Sequence, residues 1–242
     1  MYKAVLFDLD CTLYEGGAKP GFGEKFDAAM QKERSKIKDP HFIEKMNRYF
    51  DVWGRVEAEY SKDENEYNGD LWDLRNEILA RELNITIEEA KELSHKVWYD
   101  FIGSIYRRIQ RLSPKTLPLL HSLKKSGYKV GLITEMRSGF KLKALGLEDF
   151  DFDAIVEAEK LGVSKPHSKA FLEALRKLGC RPEEALLVGD DARKDIVGAN
   201  KLGITSVLIN RGRYDVALLE GLEKPDFCIS ELDEILKILN GS

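Results

Sequence analysis

The chain of 242 residues is long enough for one full-sized domain, or for one domain that carries a large insertion. Hydrophobic residues make up 43% of the sequence and charged residues 33%, a balance that excludes intrinsic disorder as the main state. The 38 basic and 42 acidic residues give a net charge of −4, which argues against a dedicated nucleic-acid binder.

The length of the apolar runs and the spacing of the cysteines indicate where in the cell we expect the protein to be. Uninterrupted apolar runs such as residues 4–7 and 185–188 are far shorter than the roughly 20 residues of a membrane span, so we expect no membrane association. Cys11, Cys180 and Cys228 lie far apart and form no CxxC pair. We therefore expect neither a disulfide framework nor a zinc site, and a reducing, cytoplasmic location.

The first predicted element is an apolar strand over residues 4–9, and the sequence pattern after it is different. Residues 15–112 have almost no strand signal and predict helices instead. A capping-box pattern from Thr86 to Glu89 marks the start of the last of them. Most aromatic side chains of this segment are expected to form a bundle core, with a minority facing a ligand. The helices are predicted over residues 22–37, 41–61, 67–83 and 87–110.

From residue 113 onward, short apolar runs alternate with amphipathic helices. The strands are predicted at residues 129–134, 154–156, 185–188, 206–209 and 227–229. The helices are predicted at residues 118–125, 168–178, 194–202 and 231–239. Helices that end near a glycine and lead into an apolar strand indicate βαβ units. The sequence thus predicts an α/β fold whose parallel sheet is covered on both faces, with residues 15–112 as a helical insertion.

Two carboxylates follow the first predicted strand. Asp8 and Asp10 are two positions apart, so their side chains lie on the same side of an extended chain. Strand carboxyl ends form the crevice of an open α/β sheet, and two carboxylates held there repel each other unless a cation is bound. A hard divalent ion such as Mg²⁺ is the natural occupant, whereas an aspartate pair that only caps a turn is the alternative.

Later strands carry further polar groups at their ends. Thr134 ends the second strand, and its hydroxyl with nearby backbone N–H groups can hold phosphate oxygens. Lys165 precedes a helix, where its charge can lie over a phosphate or simply be solvated. Asp190, Asp191 and Asp195 open the helix after residues 185–188. Three carboxylates exceed what helix capping requires, so a metal site shared with the first pair accounts for them better.

The order of these groups resembles the haloacid dehalogenase-like hydrolase superfamily: Asp-x-Asp, then Thr, then Lys before a helix, then Gly-Asp-x4-Asp. The resemblance covers residues 1–14 and 113–212. It implies a Rossmann-like, doubly wound core of residues 1–14 and 113–242. It also implies that residues 15–112 form a helical cap over the carboxyl edge of the sheet, with hinges near residues 16–17 and 112–114.

The resemblance also implies roles for the aspartates. Asp8 would attack phosphorus and become an aspartyl-phosphate, because a carboxylate is ionised at neutral pH and needs no activating base. Asp10 would be the general acid and then the general base, and its backbone carbonyl would touch the metal. Asp8, Asp10 and Asp190 would hold Mg²⁺, with Asp191 and Asp195 positioned around it.

Thr134, Glu135 and Lys165 would form the phosphate pocket by the same resemblance. Three residues depart from the family pattern. Cys11 stands where Gly or Asp is usual, Glu135 where Asn is common, and His167 where a second proline is often found. A carboxylate at position 135 would either repel an anionic substrate or point away, and we expect His167 to be a solvated loop residue.

These residues favour a Mg²⁺-dependent phosphatase acting on a small phosphorylated metabolite. Asp10 disfavours a 2-haloacid dehalogenase, because breaking a carbon–halogen bond needs no proton donor. A phosphotransferase such as a mutase stays open, and phosphate release would separate it from a phosphatase. A binding module without turnover is the fourth alternative, which the complete set of catalytic residues speaks against. We expect a monomer rather than a dimer.

Overall fold

The computed structural model describes residues 2–14, 29–109 and 112–241. The hinge expected near residues 16–17 and the first half of the helix predicted over residues 22–37 lie outside them. Residues 29–34 of that helix are helical. Among the described residues, none of the helices combines the length and apolar composition that a membrane crossing requires.

Parallel strands form one sheet, in the order β3-β2-β1-β4-β5-β6. The strands are β1 (Ala4–Asp8), β2 (Lys129–Thr134), β3 (Ala154–Glu157), β4 (Ala185–Gly189), β5 (Thr205–Ile209) and β6 (Phe227–Ile229). The chain builds one half of the sheet from β1 to β3 and then crosses to the other side of β1 with β4. This reversal between β1 and β4 creates a crevice at the carboxyl edge, where ligands bind in doubly wound folds.

Both faces of the sheet are covered, as the continuous apolar strands predict. Every residue of β1 is buried. Val5 and Phe7 contact one apolar cluster, whereas Ala4 and Leu6 contact a second cluster on the opposite face. The covering helices are α5 (Thr116–Lys125), α6 (Gly139–Leu145), α7 (Ser168–Leu178), α8 (Val197–Leu202) and α9 (Ile235–Leu239). The predicted α/β, Rossmann-like core is therefore confirmed.

The described part of the insertion is helical. Its elements are α1 (Pro40–Tyr60), α2 (Leu71–Leu83), α3 (Ile87–His95), a π-helical segment (Lys96–Ile102) and α4 (Gly103–Ile109). The capping box predicted at the start of α3 is present, because Thr86 and Glu89 exchange hydrogen bonds. A third apolar cluster lies among these helices. The assignment of residues 15–112 to a separate cap domain stays a prediction.

Candidate active site

Parallel strands bring the polar groups of several motifs to one edge of the sheet. Asp8 ends β1, Thr134 ends β2, and Asp190 directly follows β4. Lys165 lies in the loop before α7. Because β1 pairs with both β2 and β4, these residues lie at the same edge of the sheet, where Asp8, Lys165 and Asp190 line one cavity. The structure thus brings together residues that are up to 182 positions apart in sequence, from 8 to 190.

Three carboxylates meet at this edge. Oxygen atoms of Asp8, Asp190 and Asp195 all lie within 4.8 Å of one another, and all three residues are buried. Lys165 Nζ donates to Asp8 Oδ1 at 2.7 Å and to Asp195 Oδ1 at 2.8 Å. Gly189 makes room for this packing, because a Cβ atom there would lie 2.3 Å from Cβ of Asp195. The three acidic side chains are therefore opposed by two cations, Lys165 and, at Asp190, Arg213.

Burial and mutual repulsion raise the pKa values of Asp8 and Asp190. Burial raises the pKa of Asp8 well above its usual value; the charge of Lys165 opposes this rise, while Asp195 and Asp190 add to it. Burial and the charge of Asp195 raise the pKa of Asp190 to about 7. A divalent cation would relieve both effects, and carboxylate oxygens are the ligands that Mg²⁺ prefers. The donor set present therefore fits Mg²⁺.

The carboxylates that lie together include that of Asp195, which is predicted to lie around the metal, whereas Asp10 is predicted to contact the metal through its backbone carbonyl. The structure places the carboxylate of Asp195, rather than that of Asp10, with those of Asp8 and Asp190. Asp195 reaches the cluster because the predicted helix over residues 194–202 begins earlier, with a π-helical turn over Ala192–Ile196. The roles of Asp10 and Asp195 at a metal stay predictions.

The Asp10 side chain has its own set of partners, which sequence reasoning missed. The buried Lys141 on α6 donates to Asp10 Oδ2, and the hydroxyls of Tyr14 and Tyr106 donate to Asp10 Oδ1 at 2.7 and 2.9 Å. Burial alone would raise the pKa of Asp10, but the Lys141 charge and these hydrogen bonds hold it below its usual value. Because Tyr106 lies on α4, this carboxylate links the sheet edge to the inserted helices.

Thr134 and Glu135 differ in whether their side chains already have partners in the protein. Thr134 is fully buried, and its hydroxyl has no hydrogen-bond partner among the described residues. Glu135 is occupied: its Oε2 accepts from the backbone N–H of Lys165 at 3.1 Å, and its Oε1 lies 3.4 Å from Lys194 Nζ. Burial raises the pKa of Glu135, although Lys194 and Lys165 oppose the rise. Glu135 thus holds the loop that carries Lys165, and a neighbouring cation offsets its charge.

Asp191 is bound by groups outside the three-carboxylate cluster. It caps the π-helical turn by accepting from the backbone N–H groups of Arg193 and Lys194. Arg213, another residue that sequence reasoning missed, donates to Asp190 at 2.9 Å and to Asp191 at 2.8 Å. Burial would raise the pKa of Asp191, but the Arg213 charge holds it below its usual value. Arg213 therefore holds the two aspartates that follow β4 through its guanidinium group.

Two departures from the family pattern have structural explanations. Cys11 has a φ of +64°, in the left-handed region that glycine adopts without strain. This conformation would suit the glycine that the resemblance makes usual at this position. The expectation that His167 is solvated is wrong, because only 5% of its surface is exposed. Its Nδ1 accepts from the backbone N–H of Lys169 and so caps α7.

A cavity of about 470 Å³ opens above the carboxylates. Asp8, Asp10, Lys165, Asp190 and Asp195 line its floor. The inserted helices and the residues before them contribute apolar and aromatic side chains to its walls: Met30, Phe50, Trp53, Trp98, Ile102 and Tyr106. The cavity is therefore charged at the sheet edge and apolar on the opposite side.

Two known proteins are similar to this chain in sequence along nearly its whole length. A glyceraldehyde 3-phosphate phosphatase from Methanopyrus kandleri is 31% identical over 249 residues, which cover 99% of this chain and 97% of the relative. The protein of the same name from Methanocaldococcus jannaschii is 30% identical, over 99% of this chain and 97% of its own. Both relatives thus match along nearly their whole length.

Two solved structures are similar to this chain over nearly its whole length. A HAD phosphatase from Thermococcus onnurineus matches with a TM-score of 0.56 and 27% identity, over 99% of both chains. A 2-haloacid dehalogenase from Pseudomonas syringae matches with a TM-score of 0.67 and 26% identity, over 100% of this chain and 99% of its own. Residues 2–203 match the family of haloacid dehalogenase-like hydrolases. The chain therefore belongs to the haloacid dehalogenase-like hydrolase family.

Proposed function

We propose that the protein is a Mg²⁺-dependent phosphatase that hydrolyses a small phosphate monoester through an aspartyl-phosphate on Asp8. The observation that carries this proposal is the position of the Asp8 carboxylate. It lies at the carboxyl end of β1, 2.7 Å from Lys165 Nζ and within a group of three carboxylates. The phosphatases named above match this chain over 97% of their length, which supports the same reaction class.

The metal site would use the carboxylates of Asp8, Asp190 and Asp195. When bound there, Mg²⁺ would neutralise charge on the phosphoryl oxygens and so favour attack by an anion. Lys165 would hold the phosphoryl group and offset the charge of Asp8. Thr134, whose buried hydroxyl has no hydrogen-bond partner among the described residues, would donate to a phosphoryl oxygen.

The reaction needs two proton transfers, which we assign to Asp10. A carboxylate oxygen of Asp8 attacks phosphorus, the bond to the leaving oxygen breaks, and Asp10 gives that oxygen a proton. Asp10 then takes a proton from water, which attacks the phosphorus and releases inorganic phosphate. The hydrogen bonds from Lys141, Tyr14 and Tyr106 favour the ionised form of Asp10, which the second step requires. In the first step Asp10 is protonated, and its O–H donates to the leaving oxygen, which would take the position of one of the three donors.

Asp10 with its three hydrogen-bond donors also favours phosphatase over dehalogenase. Displacement of a halide needs no proton donor in its first step, whereas an alkoxide leaving group needs the proton that we assign to Asp10. A mutase would use the same aspartyl-phosphate and pass it to a second hydroxyl instead of water.

The test is phosphate release from glyceraldehyde 3-phosphate and glycerol 1-phosphate with Mg²⁺, with a chelator, and with Asp8→Asn. We expect turnover with Mg²⁺ that the chelator and the variant abolish. Asp233→Asn is the matched control, because that aspartate is half-buried, pairs with Lys115 at the start of α5 and does not line the cavity. Turnover that survives Asp8→Asn would contradict the proposal. Loss of substrate without release of phosphate would favour the mutase.

A further inference from the structure

The cavity contains a carboxylate, Glu135, that the reaction described above does not use. Glu135 lines the cavity together with Lys165, which would hold the phosphoryl group. A phosphate ester is itself anionic, and like charges that lie close together in a partly buried site repel each other. A glutamate at this position therefore requires a group of the protein that offsets its charge and keeps it away from the substrate.

Both oxygen atoms of the Glu135 carboxylate face nitrogen atoms of the protein. Oε2 accepts from the backbone N–H of Lys165 at 3.1 Å. Oε1 lies 3.4 Å from Lys194 Nζ, and no described residue donates a hydrogen bond to it. The oxygen of a neutral amide could replace Oε2 at the backbone N–H, whereas the contact with Lys194 is an attraction between charges. Lys194 is therefore the group that answers the charge of Glu135.

Lys194 lies between the sheet edge and the inserted helices. It belongs to the π-helical turn Ala192–Ile196, and its ammonium group also donates to Glu57 Oε1 on α1. The side chain of Lys194 is 34% exposed and those of both glutamates are 17% exposed, so water screens these charges only in part. Burial lowers the pKa of Lys194, but the charges of Glu135 and Glu57 raise it above its usual value. The ammonium group is therefore charged at neutral pH.

We propose that Lys194 is a positioning residue for phosphate binding, because its ammonium group pairs with Glu135 and holds that carboxylate away from the substrate. Burial raises the pKa of Glu135, and Lys194 and Lys165 are cations that oppose the rise. Without Lys194, the carboxylate would be left with Lys165 and would compete with the phosphate for it. This inference rests on the proposed phosphatase activity and adds a residue that its phosphate pocket requires.

The test is a double-variant cycle in which calorimetry measures the affinity for inorganic phosphate in the presence of Mg²⁺. Lys194→Met should weaken phosphate binding about tenfold or more, because the carboxylate is then free to turn towards the site. Lys194→Arg keeps the charge and should bind phosphate nearly as tightly as the unmodified protein. In the Glu135→Gln background, Lys194→Met should have little effect, because no carboxylate is left to be held.

Kinetics and a matched control complete the test. In hydrolysis of glycerol 1-phosphate, Lys194→Met should raise KM and leave kcat nearly unchanged, because the groups that transfer the phosphoryl group and the protons are intact. Lys201→Met is the control. Lys201 also joins the helical region after β4 to the insertion, through an ion pair of 2.8 Å with Asp63, but it does not line the cavity. This variant should keep the phosphate affinity of the unmodified protein.

The outcomes separate the inference from the proposed function. Equal losses from Lys194→Met in both backgrounds would show that Lys194 acts on phosphate without Glu135, and would overturn the inference. The same loss in Lys201→Met would reduce Lys194 to an attachment of the inserted helices and would also overturn it. Phosphate binding that follows the predicted cycle, without release of phosphate from any ester, would support the role of Lys194 and overturn the phosphatase.

Discussion

A buried ion pair between the inserted helices and the core provides a quantitative test of the packing. Arg75 on α2 donates to Glu159 at 2.7 Å, and both side chains are at least 95% buried. Removing one partner of a buried pair costs about 3–5 kcal/mol, because the other charge is left uncompensated. Glu159 keeps a hydrogen bond from the backbone N–H of Arg137 at 2.8 Å, so the lower end of that range applies. Arg75→Met should therefore lower the free energy of unfolding by about 3 kcal/mol, or about 100-fold in the unfolding equilibrium.

The assay is urea unfolding at neutral pH, with Glu159→Gln and the double variant completing a cycle. We expect the double variant to be more stable than Arg75→Met, because it removes the unpaired charge. Arg55→Met is the matched control: Arg55 also pairs at 2.7 Å, with Glu82, but this pair is exposed and its loss should change the midpoint little. A loss below about 1 kcal/mol for Arg75→Met would refute the reasoning.

The pH dependence of this variant gives an independent check. Burial raises the pKa of Glu159, and Arg75 partly opposes the rise, so Arg75→Met should raise this pKa further. A group with a raised folded-state pKa contributes stability that is fully present below its unfolded value, about 4.3, and is lost as the pH rises through the folded value. The deficit of Arg75→Met should therefore shrink as the pH is lowered from 7 towards 5. A deficit that is constant over this range would contradict the account.

Two further predictions follow from close contacts. Gly198→Ala should lower the free energy of unfolding by about 1–3 kcal/mol in urea, because its Cβ would lie 2.1 Å from the buried ring of Phe171. Gly54→Ala is the control: the space around Gly54 is open, so this variant should raise the free energy of unfolding by about 0.5–1 kcal/mol. Equal effects of the two variants would contradict the reasoning. Lys141→Met should lower kcat for phosphate release about 100-fold, because Asp10, the proposed general acid and base, loses its cationic partner. Lys143→Met, at an exposed position of the same helix, is the control. An unchanged kcat in Lys141→Met would show that the pair of Lys141 and Asp10 has no catalytic role.

The fold could be predicted because its signals are local. A buried parallel strand appears as a short apolar run, and a glycine marks the end of the helix before it. The predicted bounds of β2, β6 and α7 agree with the structure. The motif order along the chain then places the polar groups at one edge, since parallel strands share their carboxyl ends.

The remaining parts of the site depend on contacts that no local signal encodes. Lys141 and Tyr106 reach Asp10 from 131 and 96 residues away. Tyr106 is an ordinary residue of a predicted helix, whereas the helix that carries Lys141, α6, is absent from the sequence-based prediction. His167 was expected in solvent because it is polar and lies in a loop. Its position one residue before α7 was the missed signal, since a side-chain acceptor there can cap a helix. The π-helical turn that carries Asp195 has no sequence pattern that we could use.

The most direct test of the central claim is chemical trapping of the acyl phosphate. The enzyme would be mixed with Mg²⁺ and a phosphate ester, quenched during turnover, and treated with borohydride, which reduces an acyl phosphate to the alcohol. We expect mass spectrometry to find homoserine at position 8, and to find none without substrate or in Asp8→Asn. Steady phosphate release with an unmodified Asp8 would contradict the account.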